Sequence, residues 1–168
     1  MDPLNSALKL HQEASEGSEK GDLTARELLT LSLEIALFVM IACESAQQEI
    51  NAGEEPIGLL PMLLLAGVNS TIGTLWKCSD AGGRMFTEIF YDALKAQIKE
   101  HLSKDDDVIV IDIAMALRQT VLEIRKRRPA PYFWALFVLH GNWQCRFSRK
   151  GMKSVFGMDE AGMQSATP

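Results

Sequence analysis

Cysteine is scarce in this sequence and poorly arranged for cross-linking. The three, Cys43, Cys78 and Cys145, are odd in number and far apart. That pattern excludes a disulfide framework and favours reduced thiols in the cytosol. No CxxC or HxxxH spacing occurs, so neither a structural zinc site nor a metal cofactor is expected. Apolar runs are short, and none approaches the roughly 20 residues of a membrane span. The opening MDPLNSALKL lacks the basic region and long apolar core of a signal peptide. Positive charge is in deficit, 17 Lys and Arg against 22 Asp and Glu, a net charge of −5. That balance argues against a general nucleic-acid binder. The expectation is a cytoplasmic chain that binds neither nucleic acid nor membrane and carries no cofactor.

What remains is globular. At 168 residues, 47% apolar and 23% charged, the chain suits one domain with a real core. Nine apolar residues, Ile35 to Cys43, run without a charge and stop at Glu44-Ser45. Such a run, rich in Ile, Val and Phe, reads as a central strand buried on both faces. It ends in a thiol, and the carboxyl ends of strands in an open parallel sheet are where such folds place their chemistry. Cys43 is therefore a candidate nucleophile. A free Cys is also among the most buried residue types, and on the residues alone Cys43 reads more readily as packing.

Around this run the chain alternates. Ser6–Leu10 reads as a short edge strand and Gln12–Asp22 as a polar loop. Thr24 and Glu27 have capping-box spacing, with Leu23 and Leu28 as a staple, and predict two helical turns to Ser32. A helix from Ile57 or Gly58 tolerates Pro61 only in its first turn and ends at Gly67. Ser70–Trp76 reads as a strand, and Asp80 as the cap of a helix whose apolar stripe is Phe86, Ile89, Phe90, Ala93 and Leu94. Gly82-Gly83 at its start is a weak candidate anion cradle. Asp105–Asp107 suits a helix start, and the helical period of Ile113 to Ile124 extends that helix back over Val108–Ile111. Arg125–Arg128 closes it as a solvated cap, and Pro129 and Pro131 stop it. Tyr132–Leu139 is a third strand, and residues 146–168 a loose tail. Strands separated by apolar helices imply an α/β layered domain with a mostly parallel sheet.

Several stretches, in order, resemble the CHAT domain, the caspase-like cysteine peptidase family of clan CD. They are LTARELL at 23–29, FVMIACESA at 38–46 and EPIGLLPMLLLAGVNSTIGTLWKCSD at 55–80. FYDALK at 90–95, ALRQTVLEIR at 116–125 and PYFWALFVLHGNW at 131–143 follow. The resemblance implies a caspase-like fold, a mainly parallel sheet flanked by helices. It implies residues 1–145 as a partial, N-terminally truncated CHAT domain, with 146–168 a flexible tail. The family uses a Cys–His dyad, and Ile41–Ser45 matches its cysteine motif, which places Cys43 at the nucleophile position. Glu44 and Ser45 would flank the substrate pocket. Asp80 would line it, since clan CD pockets often hold a basic P1 side chain with an acid. Cys78 and Cys145 match no catalytic motif and read as structural.

The family's histidine lies in a His-x-x-x-His-Gly motif upstream of the matched stretches, and this sequence has no such motif. His11, His101 and His140 do not stand at its position. Two functions follow: a cysteine endopeptidase-like domain acting on peptides or proteins through Cys43, or an inactive remnant serving as an interaction or regulatory module. Loss of the strands before Ser6 would expose a sheet edge through which either could associate.

Overall fold

The computed structural model describes residues 7–9, 22–41, 59–104 and 107–148. Strand β1 (Ala7–Lys9) pairs antiparallel with β2 (Asp22–Thr24). Thr24 then caps the single-turn helix α1 (Ala25–Leu28) in a full capping box. The Thr24 hydroxyl accepts from the Glu27 amide at 3.2 Å, and the Thr24 amide donates to the Glu27 carboxylate at 2.7 Å. Leu23 and Leu28 pack in one cluster, as the staple requires. The helix stops after one turn rather than two, and the chain extends toward the sheet.

The central sheet has the order β3 (Phe38–Val39), β4 (Ser70–Thr74), β6 (Phe137–Gly141). Its middle strand is β4, buried at all five positions. Among the described residues the run expected at the centre supplies the two-residue β3, half-buried beside β4. An isolated bridge, Ile35 to Val68, and the bond from the Met40 amide to the Ile72 carbonyl (2.8 Å) extend this pairing. Side chains alternate as in any strand: Phe38 and Met40 join one core, Val39 and Ile41 the other. The sheet is mixed, because β3 runs parallel to β4 while β6 runs antiparallel to it.

Helices cover both faces. On one, α1 and α2 (Leu59–Leu65) enclose Leu28, Met40, Leu60, Leu63 and Val68. Pro61 sits in the first turn of α2, where its missing N–H costs nothing. The helix ends in a Schellman motif. Gly67 donates to Leu64 and Val68 to Leu63, with Gly67 at φ +107°. A Cβ there would run into the Leu33 carbonyl, so only glycine fits.

On the other face, α3 (Asp80–Ser103) and α4 (Ile113–Arg127) build the larger core. Phe86 stacks on Phe137 at 4.0 Å and on Phe90 at 5.2 Å. Strand β5 (Val108–Asp112) pairs antiparallel with β7 (Gln144–Ser148). Both elements depart from expectation. Residues 108–111 are strand, not helix: Ile109 and Ile111 are buried in alternation, and pairing with β7 overrides the local helical period. The cap of α4 is accordingly Asp112, which accepts from the Met115 amide at 2.7 Å. Residues 146–148, expected in the tail, are paired strand. Ahead of β6, Pro131–Phe133 forms a 3₁₀ turn, so the third strand begins at Phe137 rather than Tyr132.

Candidate active site

Because β3 and β4 are parallel, their carboxyl ends lie at the same end of the sheet. From β3 the chain continues to Ile41. From β4 it continues through Leu75–Ser79 into α3. These two exits border an open cleft of about 480 Å³ lined by Ile41, Cys78, Ser79, Asp80, Gly83, Arg84, Thr87 and Glu88. A cleft outside the carboxyl ends of parallel strands is the usual binding position in open α/β folds.

The connection from β4 to α3 is held from outside. Trp76 Nε1 donates to the Tyr132 carbonyl (3.0 Å), and the Tyr132 hydroxyl donates to the Lys77 carbonyl (2.9 Å). The two rings stack at 6.3 Å. The Leu75 amide donates to the Leu136 carbonyl (2.9 Å). The segment carrying Cys78, Ser79 and Asp80 is thus tied to the chain ahead of β6 on its way to the cleft.

Ser79, not Asp80, caps α3. Its hydroxyl accepts from the Gly82 amide at 3.1 Å, and its carbonyl accepts from the Gly83 amide at 2.8 Å. Asp80 stands one residue later, exposed in the first turn, where a carboxylate complements the helix dipole. The two glycine amides are spent on Ser79 and do not cradle an anion. Gly83 has a different use: a Cβ there would lie 3.2 Å from Ile41 Cγ2, so its absence lets α3 approach the end of β3.

Of the sequence-based site residues, Asp80 lies in the cleft. Cys43, Glu44 and Ser45 lie outside the described residues, as does His11. Ile41, two residues before Cys43, lies in the cleft beside Asp80. His140 is on β6 opposite Thr71, at the amino end of β4, about three residues or 10 Å along the strand from its carboxyl end. His101 is in the last turn of α3, about 30 Å along the helix from Asp80. Neither reaches the cleft. Cys78, read from sequence as structural, is a half-buried wall of it. Arg84, Thr87 and Glu88 were also missed. With Asp80 and Gly83 they fall at i, i+3, i+4, i+7 and i+8, the helix face complementary to the Phe86–Phe90 stripe, and that spacing was the available signal.

A family model for the CHAT domain matches residues 1–142. The chain belongs to the CHAT domain family. No curated protein sequence matches it. Among solved structures it resembles two crystal structures of the Saccharomyces cerevisiae separase–securin complex. The TM-scores are 0.52 and 0.54, at 20% identity, over 70% and 73% of this chain. In both cases the CHAT chain spans 7% of the matched chain's length. The shared fold is caspase-like, a mixed sheet flanked by helices.

Proposed function

We propose that this CHAT domain is a cysteine endopeptidase-like module whose cleft receives a peptide chain, with Cys43 as nucleophile and Asp80 holding a basic side chain. One observation carries the reading: Ile41, which leads to Cys43, and Asp80 border the same cleft at the carboxyl ends of two parallel strands. A thiolate delivered there attacks the peptide carbonyl, the C–N bond breaks as the amine leaves with the proton the thiol gave up, and water then hydrolyses the thioester to free the acid and restore the thiol. Glu44 and Ser45 flank the substrate. The site acts on peptides or proteins in the cytoplasm. A protein partner would pair along the side of β3 away from β4, where no strand pairs with it among the described residues.

A second reading has its own support. Neither His101 nor His140 lies at the cleft, and a thiol without a base is only a few per cent thiolate at neutral pH. On that reading the cleft binds a peptide without cutting it. Incubating the chain with a peptide library and sequencing products by mass spectrometry separates the two. Cleavage after Lys or Arg that disappears in Cys43→Ala and loses its basic preference in Asp80→Asn supports the peptidase. Peptide binding with no product from the unaltered chain leaves the binding module.

A further inference from the structure

Three of the cleft's charges stand in a line on α3. Asp80, Arg84 and Glu88 are at i, i+4 and i+8, so one helical row carries minus, plus, minus. All three are exposed. Opposite charges at this spacing commonly pair, as Lys104 and Glu100 do at 2.6 Å near the other end of the same helix. Yet among the described residues Arg84 makes no ion pair with either carboxylate. The row is therefore available to another chain. Between the charges the surface is kept low. Gly83 has no side chain, and the Thr87 hydroxyl turns back to the Gly83 carbonyl at 2.9 Å.

Spacing selects the occupant. Four helical residues rise about 6 Å. In an extended peptide, side chains on one face recur every two residues, about 6.7 Å apart. From Asp80 to Glu88 is about 12 Å, the reach of a five-residue extended segment with its first, third and fifth side chains on the row. We infer that Asp80, Arg84 and Glu88 select an extended peptide carrying basic, acidic and basic side chains at alternate positions. This rests on the peptide-cleft reading above and adds to it two specificity positions, Arg84 and Glu88, beyond the Asp80 pocket.

The test measures binding of three ten-residue peptides, labelled with a fluorophore, to the 168-residue chain by anisotropy at low salt. One carries Lys-Ala-Glu-Ala-Lys, one Glu-Ala-Lys-Ala-Glu and one Lys-Ala-Lys-Ala-Lys at its centre. Exposed pairs are individually weak, so the first peptide should bind about tenfold more tightly than the second, an advantage that fades in high salt. In Arg84→Glu the all-lysine peptide should overtake the first. Being exposed, Arg84 and Glu88 can be changed without unfolding the chain, which circular dichroism verifies. If the unaltered chain and Arg84→Glu rank the peptides identically, with the two lysine-first peptides equal, the row is overturned while the Asp80 pocket stands. If no peptide binds, both fall.

Discussion

Single residues near the cleft differ mainly in how the fold treats their polar atoms. Cys145 on β7 is buried in the larger core, and burial pushes its thiol above the ordinary range. Its neutral form packs, so the stability it lends is complete below the ordinary thiol pKa and is lost as pH rises through the raised one. We expect alkylation of Cys145 to lag behind that of half-buried Cys78 at every pH below unfolding, as mapped by mass spectrometry. Equal rates would mean the core opens there. Thr71 and His140, cross-strand neighbours on β4 and β6, bury Oγ1 and Nε2 without a hydrogen-bond partner among the described residues. An unpaired buried hydroxyl is costly, so Thr71→Val should leave stability unchanged or raise it by up to about 1 kcal/mol in chemical denaturation. A loss larger than that would show the hydroxyl to be paired. At this scale sequence was an uneven guide. It singled out Asp80, but it assigned the cap to Asp80 when Ser79 holds it. Cys78 matches no catalytic motif, and its place in the cleft wall comes from the β4–α3 connection, which no local spacing encodes.

Elements follow local rules except where distant pairing competes. The Thr24–Glu27 box was legible because both partners lie three residues apart. The Glu27 carboxyl is held below its usual range, chiefly by the bond it accepts from the Thr24 amide. Its contribution is present above the ordinary glutamate pKa and disappears as pH falls through the lowered value. Thr24→Ala should cost about 1 kcal/mol at neutral pH. Glu27→Gln should flatten the decline of melting temperature below about pH 4; an unchanged slope would count against the box. Gly67 was also legible, as the residue after an apolar run. Gly67→Ala should destabilise by about 1–3 kcal/mol from backbone conformation alone, before the clash with Leu33 is added. Strands were harder. Val108–Ile111 have β propensity, but the helical period beyond them masks it, and only the partner β7, some 35 residues on, decides. The basic run 125–128 reads correctly as a cap. Glu123 pairs with Lys126 and Arg127, while Arg125 and Arg128 lie over Trp134 and Phe133.

For the molecule as a whole, the layered α/β class follows from the alternation of apolar strands and helices, and the helices do cover both faces. The order of strands does not follow. The most apolar run does not supply the centre: β4, with Ser and Thr among its five residues, is the buried middle strand. Neighbours on both sides pair its backbone groups, and the buried Ser70 hydroxyl donates to the Asn142 carbonyl at 2.7 Å. The site's position, by contrast, follows from topology: parallel β3 and β4 bring Ile41 and Asp80 to one end of the sheet. The peptidase activity proposed for this cleft turns on Cys43. The most direct measurement is its reactivity toward an electrophilic thiol probe, from about pH 5 to about pH 9, on the intact chain with Cys43→Ala as control and every site mapped. The expected result is labelling of Cys43 ahead of Cys78 and Cys145, with an apparent pKa below the ordinary value of about 8.5. Labelling of Cys43 no faster than Cys145, or only once the chain unfolds, would contradict a nucleophile in this cleft.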